Sequence, residues 1–582
     1  MIATKLPSRT TRPLPISRGS AGSGISPELL LPELIMLAGL VALIIVPNIG
    51  DARFRIPLTS LRIPTLLGGK RVEFSMDPRL PNRITIATLL ASLVAAQQGL
   101  LSPGDWSGEV GNVLLVDEFS ILLTNIFVSV LFLCTVATTH RIPADPRATA
   151  PQPISAEPSA AWLARKTDAL YDNRRQVDFH ILLLTTGIGM SLMAKSTHLF
   201  MLFVCMELAS LSSYVLVGFH KETVEGGEAG TKYFVVGSVA SAVGIYGMSL
   251  LYLWNGDLSG SGLSESWQSM DGLDPLATAG IGMMLVAFGF KVGAAPFHLA
   301  IPDAYSGASS IVAGRLATAS KAMGFVALFR VMLLVSMPAS GEAFWFVAMA
   351  AIALITMTWG NLAALSSDNP KRVLAYSSVA HAGYMLAAVA AIGSGLADGE
   401  VKSLIVTAVL FHLSVLVVFK LGAFLVLSTI ENEGGSHRME GLNGLARRDP
   451  LIAGSMFVFM LSLAGVPPFS GFLSKLLMIN GIVTVSAGTG GASSIVSWAA
   501  SVEPVFWLAV AIVLNSALSL FYYLRIGLVM FFDSPEEEAL ACKTPLRVFI
   551  IALAALSLAF GIGPGSEFLV DLAHDAAEAL LP

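Results

Sequence analysis

The sequence predicts an all-α polytopic membrane protein of about fourteen transmembrane helices, built around two inverted five-helix repeats that each contain a broken helix. Three observations lead there. The 582 residues are 54% hydrophobic and only 13% charged, against about 25% charged in soluble domains. Fourteen apolar windows approach the roughly 20 residues that a bilayer helix needs. Two of those windows are interrupted by Gly and Pro beside a lysine.

The windows lie near 28–48, 83–101, 119–139, 178–196, 198–218, 230–253, 276–297, 309–334, 343–366, 373–393, 403–429, 451–480, 505–530 and 546–563. The second, with Gln97 and Gln98, and the last are the weakest. Residues 1–27 are rich in Ser, Pro, Gly and Arg, lack the apolar run of a signal peptide, and are read as a disordered tail. Three spans fill 28–140, and a Pro/Ala-rich loop fills 141–177. Repeat one covers 178–336 and repeat two 342–530. Residues 531–582 hold the last span and a C-terminal tail.

The basic residues assign the sides. Loops after odd-numbered spans, with their edges, contain 21 Lys and Arg, while loops after even-numbered spans contain only Lys195 and Lys402. Positive charge is retained in the cytoplasm, so the odd loops are expected inside and both termini outside. The basic tail, with Lys5, Arg9, Arg12 and Arg18, is the one dissenting segment.

The seventh span reads Gly289-Phe290-Lys291-Val292-Gly293-Ala294-Ala295-Pro296-Phe297, and the twelfth reads Gly465-Val466-Pro467-Pro468-Phe469 with Lys475 beyond. Pro and Gly free backbone carbonyls, which is tolerated at membrane depth only beside protein or a wet cavity. Each break is fourth in a block of five spans. Five is odd, so the second block starts on the opposite side, as in transporters whose ion site lies at the broken helices.

Eight basic residues lie inside apolar stretches: Lys232, Lys291, Arg315, Lys321, Arg330, Lys420, Lys475 and Arg525. Four central lysines would cost roughly 10–14 kcal/mol on insertion scales. Such groups usually mark a charge pathway. Glu207 carries Ser210 and Tyr214 on its own helix face and is expected to pair with Lys291 or Lys232. A lysine, unlike an arginine, can gain and lose a proton at a buried site. Lys291, Lys321, Lys420 and Lys475 are therefore candidate proton carriers. Lys475 mirrors Lys291 in the other repeat. Lys232 is one turn inside its helix and can also snorkel to the surface. His412 precedes Lys420 by eight residues, about 12 Å along a helix, a separation water can bridge. His381 shares its face with Ser377, Ser378 and Tyr384. His298 follows Pro296 and is expected to cap the break. Arg315, Arg330 and Arg525 are read as structural or electrostatic, Glu33 as solvated, paired or facing a neighbour, and Phe521-Tyr522-Tyr523 as packing or interface belt.

Cys134, Cys205 and Cys542 form no CxxC pair, so no iron–sulfur or zinc ligand set is apparent, and no glycine-rich nucleotide loop appears.

The motifs now form an ordered pattern. Gly289-Phe290-Lys291 through Pro296-Phe297-His298 is followed by Pro302-Asp303-Ala304-Tyr305-Ser306-Gly307-Ala308 and Thr318-Ala319-Ser320-Lys321. Lys371-Arg372-Val373-Leu374-Ala375-Tyr376-Ser377-Ser378-Val379-Ala380-His381-Ala382-Gly383-Tyr384 comes next, then Leu461-Ser462-Leu463-Ala464-Gly465-Val466-Pro467-Pro468 with Gly471-Phe472 and Lys475. Over about residues 110–530 this resembles the antiporter-like subunits of respiratory complex I, most of all the N-type subunit of bacterial NADH:quinone oxidoreductase. Ala300-Ile301 and Ser306 depart from the usual pattern, and His412 with Lys420 is more like the L and M branches.

The resemblance implies a proton-translocating subunit of a bacterial inner-membrane NADH:quinone oxidoreductase. Glu207 and Lys291 would form the charge pair of the inlet half-channel, Lys321 the connecting lysine, and Lys475 the outlet-side lysine. It implies no cofactor in this chain, with NADH, FMN, iron–sulfur clusters and quinone in other subunits. Its partners would be other membrane-arm subunits (an M-like one and small ones), the lipid bilayer and protons, not nucleic acid. Alternatives are a subunit of a Na⁺/H⁺ antiporter or membrane-bound hydrogenase of the same superfamily, or a non-transporting scaffold.

Overall fold

In the computed structural model, residues 27–46, 49–55, 62–66, 79–102, 104, 106–138, 173–220, 223–270, 272–332, 342–432, 438–486, 503–534 and 544–581 are described. The expected tail up to residue 26 and the loop 141–172 lie outside the described residues.

Among the described residues, twelve helices are long and apolar enough to cross a bilayer, thirteen when the bent pair at the C-terminal end is counted as one. The first eleven expected spans appear in order, from Pro27–Ile45 to Gly399–Glu431, and the thirteenth is Phe506–Phe532. The twelfth consists of two shorter helices, Pro450–Ala464 and Ser470–Ser486, neither long enough alone. The fourteenth, Pro545–Ala559, turns by 82° into a further helix, Pro564–Leu580. That last helix buries Ser566, Leu569, Ala573, Ala576, Ala577 and Leu580, one face at helical spacing. The sequence predicts only a C-terminal tail here; the helix appears because its apolar face has neighbouring spans to pack against.

The two breaks have the same local design. Helix Pro275–Val292 ends at Gly293, whose φ is 85°, and Ala294 N–H reaches back to Gly289 O at 2.7 Å. Helix Pro450–Ala464 ends at Gly465, φ 84°, and Val466 N–H reaches back to Leu461 O at 3.0 Å. This is the Schellman closure of a helix, which requires a residue in the left-handed region, and glycine occupies it without steric cost. A cis X–Pro bond follows each glycine, at Ala295–Pro296 and Pro467–Pro468.

The eighth, tenth and eleventh spans are the most enclosed, 94–100% buried over their apolar windows, whereas the first is only 28% buried. The central charges on the eighth and eleventh helices, Arg315, Lys321, Arg330 and Lys420, therefore face protein, not lipid. Two of the three contain a π-helical turn, Leu316–Ser320 and Val417–Leu421. Such a turn inserts one residue and often marks a functional position; here Lys321 follows the first and Lys420 lies in the second.

The loops sort by side. A cavity of about 580 Å³ is lined together by residues 109–115, 196–199, 259–268, 330–331 and 579–581. These follow the second, fourth and sixth spans, close the eighth, and lie at the end of the described residues. Leu29 packs in the same region against the hairpin Gly108–Val110 and Leu114–Val116. Both ends of the described chain thus share the face of the even loops. On the opposite face, Asp303 pairs with Lys232 and Arg372, Asp368 with Arg525, and Asp449 with Arg547.

Candidate functional site

The site is a line of buried polar groups across the middle of the bundle. It begins at Glu207 on the fifth span. Its Oε1 accepts from Ser241 Oγ at 2.7 Å and lies 3.5 Å from Lys291 Nζ. The Lys291 ammonium also donates to Ser210 Oγ at 2.5 Å and Tyr214 OH at 3.0 Å. Lys291, with a side chain only 2% exposed, is therefore held by one carboxylate and two hydroxyls from a single helix face.

The next residue, Val292, has a carbonyl freed by the break. Lys321 Nζ donates to it at 2.9 Å and to Ser378 O at 2.7 Å. Adjacent Ser377 accepts a short hydrogen bond from Lys420 Nζ through its hydroxyl. Two consecutive serines on the tenth span thus hold the lysines of the eighth and eleventh.

A side-chain chain leads on from Lys420. Ser377 Oγ is hydrogen-bonded to Tyr523 OH, and Tyr523 OH lies 3.3 Å from His381 Nε2. His381 Nδ1 lies 3.0 Å from His412 Nε2, and His412 Nδ1 lies 2.8 Å from Ser474 Oγ. Ser474 donates to Gly471 O at 2.9 Å. One set of tautomers makes every bond point the same way. Lys420 donates to Ser377, Ser377 to Tyr523, Tyr523 to His381, His381 to His412, and His412 to Ser474. A neutral imidazole has one donor and one acceptor nitrogen, so both histidines fit this polarity, and both fit its reverse.

Lys475, beside Ser474, donates to Leu463 O at 3.0 Å and Ala464 O at 2.9 Å, carbonyls freed by the break in the twelfth span. Its ammonium stands 5.4 Å from the Tyr384 ring centre. Among the described residues, Lys321, Lys420 and Lys475 thus have only neutral acceptors, whereas Lys371, Arg330 and Arg547 meet carboxylates. A carbonyl or hydroxyl accepts from either –NH₃⁺ or –NH₂, so these three sites can exist with or without the proton.

A family model described as "NADH:quinone oxidoreductase/Mrp antiporter, TM" matches residues 196–499, the stretch that holds every group named above except Tyr523 and Arg547. NADH-quinone oxidoreductase subunit N of Rubrobacter xylanophilus is 35% identical over 513 residues, 87% of this chain and 94% of the relative. The subunit N of Trichlorobacter lovleyi is 37% identical over 428 residues, 72% of this chain and 82% of the relative. The chain belongs to the subunit N family of NADH:quinone oxidoreductases. A chain of respiratory complex I from Thermus thermophilus, solved with bound aureothin, superposes with a TM-score of 0.65 at 28% identity, over 92% of this chain and 97% of that one. A chain of the Mrp complex from Dietzia shares the fold, with a TM-score of 0.72 at 20% identity, over 95% and 97%.

Against this family background, Glu207, Lys291, Lys321, His381, His412, Lys420 and Lys475 fall in one connected line. Lys232 stands apart. Its side chain is 46% exposed and pairs with Glu228 and Asp303 at the odd-loop face. The partner of Glu207 is therefore Lys291. His298 is buried, but its Nδ1 has no partner among the described residues; the Ala295 N–H at the break donates instead to Thr356 Oγ1 at 2.9 Å. Glu33 pairs with Lys195 at 2.5 Å, both buried. His412 and Lys420 are joined not directly but through His381, Tyr523 and Ser377. Tyr523, read from sequence as packing, is a member of the line, whereas neighbouring Phe521 is exposed and Tyr522 donates to Asn361 Oδ1 at 2.9 Å. Tyr522 and Tyr523 are both buried, so helical phase separates them from Phe521 but does not single out Tyr523. Among the described residues no group of three or more His, Cys, Asp or Glu is placed to hold a metal ion.

Proposed function

We propose that this chain moves protons through its membrane arm along Glu207, Lys291, Lys321, Lys420, His381, His412 and Lys475. As a member of the subunit N family it works within a multi-subunit NADH:quinone oxidoreductase. NADH, FMN, iron–sulfur clusters and quinone are assigned to other subunits, and M-like and small membrane subunits are its neighbours. The loops after the odd spans are taken as cytoplasmic, and both termini as facing outward. One observation carries this reading: three buried lysines are held only by neutral acceptors, and groups that both donate and accept lead from Lys420 to Ser474, the neighbour of Lys475.

The steps follow from the contacts. A proton arriving at the Glu207–Lys291 pair weakens their attraction, because a neutral carboxyl no longer balances the ammonium. Lys321, bonded to the carbonyl next in sequence to Lys291, receives the charge and passes it toward Lys420. From Lys420 each donor in the chain shifts its proton by one place, and the bonds reverse polarity. Lys475 lies at the far end, beside Ser474.

Lys321→Ala tests the reading. It removes a titratable group without orphaning a carboxylate. NADH-driven proton transport in membrane vesicles is expected to collapse while the complex remains assembled. A variant that assembles and pumps at the parent rate would overturn the proposal.

A further inference from the structure

Among the described residues, one buried cation outside this route lacks a carboxylate partner, whereas Lys195, Arg330 and Lys371 each have one. Arg315 lies five residues into the eighth span with no exposed surface. Nη1 donates to Ser213 Oγ at 3.1 Å. Nε and Nη2 have no hydrogen-bond partner among the described residues. None of the ion pairs formed among those residues includes it. A guanidinium in a membrane interior requires polar partners, and a buried donor left unmade is costly.

Its surroundings are rich in hydroxyls. Ser213 lies one helical turn from Ser210 and next to Tyr214, and both of those accept from Lys291. The thiol of Cys134 and the hydroxyls of Tyr233 and Tyr305 lie within electrostatic reach of the guanidinium. Tyr233 comes close to Ser320, and Tyr305 to Ser378. The axial position is informative too. Ser310, at the start of the span, donates its N–H to Glu431 at the odd-loop face. Arg315 is about 7.5 Å deeper along the helix axis, between that face and Lys291.

Arginine cannot release its proton, so Arg315 is not a carrier. It can fix the geometry of carriers. We infer that Arg315 is the positioning residue of the proton inlet, its Nε–H and Nη2–H holding water that links the odd-loop face past Ser213 and Tyr214 to Lys291. This rests on the proton-transport reading above. The hydroxyls supply the polar partners that a buried water needs. The fixed donors orient each water with its lone pair toward the arginine and its hydrogens toward Ser210 and Tyr214, the polarity that delivers a proton inward.

Substitutions separate donor, charge and packing in the assembled complex. Arg315→Gln keeps two N–H donors without charge, and NADH-driven proton flux is expected within about threefold of the parent, the scale of one ordinary hydrogen bond. Arg315→Met keeps the stem without donors, and flux is expected to fall by roughly tenfold or more, the scale of a charge-assisted hydrogen bond. Equal effects of Gln and Met would make the residue structural and overturn the inference. Flux that survives Arg315→Lys but collapses in Arg315→Gln would assign the charge instead and also overturn it. If Arg315→Met fails to assemble, Ser213→Ala decides, because it removes the acceptor of Nη1 with little change in volume. Reduced flux supports the inference and normal flux overturns it. Lys291→Ala, measured alongside, separates the two levels. Normal pumping in that variant sinks the transport reading itself, whereas a defect there beside normal pumping in every Arg315 and Ser213 variant sinks only the inlet.

Discussion

His381 and His412 face each other with Nδ1 3.0 Å from Nε2 and their rings nearly parallel, 15° apart. They come from neighbouring spans, and both are buried. The pair couples two hydrogen-bonded arms. One reaches Lys420 through Tyr523 and Ser377, and the other ends at Ser474 next to Lys475. A shift of one ring's tautomer obliges the other to follow, since two N–H groups cannot point at each other across 3.0 Å.

The first prediction concerns that coupling. Tyr523→Phe deletes the hydroxyl between His381 and Ser377 but keeps the ring. His412→Ala breaks the chain one step further on. Each is expected to lower proton flux with the complex assembled, and the double variant to be no worse than the poorer single one. Residues in one network are not additive. Flux measured in vesicles, normalised to complex content, checks this; strictly additive losses would separate the two arms.

Lys291 holds the other end. Lys291→Ala leaves Glu207 without its cation, and the loss of stability is expected below the roughly 3–5 kcal/mol of a fully buried pair, because the Glu207 side chain is 21% exposed. Pumping should drop sharply. Lys291→Arg keeps the charge but cannot give up a proton, so assembly should recover while pumping does not. Restored pumping in the arginine variant would make Lys291 a counter-ion and not a carrier.

Glu33 and Lys195 supply a control. They form a buried pair 2.5 Å apart, between the first and fourth spans, outside the connected line. Lys195→Ala should destabilise the subunit by roughly 3–5 kcal/mol, seen as a lower melting temperature of the purified complex. Replacing both residues with apolar side chains of similar size should restore most of it, and proton flux per assembled complex should stay at the parent level in both. A flux defect at full assembly would bring this pair into the pathway.

What could be read from the sequence divides by range. Hydropathy, Gly and Pro act locally, so the spans and the two breaks were legible, and the lysines stood out by their cost. Partners did not. Lys475 was read as the mirror of Lys291, yet it bonds freed carbonyls at a break, as Lys321 does. Choosing between Lys291 and Lys232 for Glu207 required knowing how the fifth, sixth and seventh spans pack. Tyr523 lay inside an aromatic run in which Tyr522 is buried as well, so only the packing of the neighbouring spans tells which tyrosine joins the line. The bend after Ala559 was hidden because Pro564–Leu580 is only half apolar, and its buried face exists only against the neighbouring spans.

Side assignment gives a fourth test. The even loops and both described ends share one face, so reporter fusions near Leu396 and after Leu581 should report the same compartment, and one inserted near Glu440 the opposite one. The excess of Lys and Arg in the odd loops predicts that Glu440 is cytoplasmic. A cytoplasmic C-terminus would reverse the proposed direction of transport.

Lys420 decides between relay and scaffold. It is fully buried in a π-helical turn of the eleventh span, and among the described residues its ammonium bonds only Ser377. Lys420→Met keeps most of the apolar stem and removes the proton. A structural lysine without a carboxylate partner gains nothing from its charge, so removing it should leave stability unchanged or raised, as replacement of buried charge by apolar groups often does. Both readings therefore expect assembly, and flux separates them. In the relay reading Lys420 is where the charge from Lys321 enters the chain leading to His381, so Lys420→Met should abolish pumping at an unchanged or higher melting temperature. Ser377→Ala, which leaves the lysine but removes its acceptor and the bond to Tyr523, should lower flux less severely. Measuring flux and melting temperature on the same purified complexes checks both. Full pumping in Lys420→Met would route the proton around the eleventh span and leave His381 and His412 as packing groups.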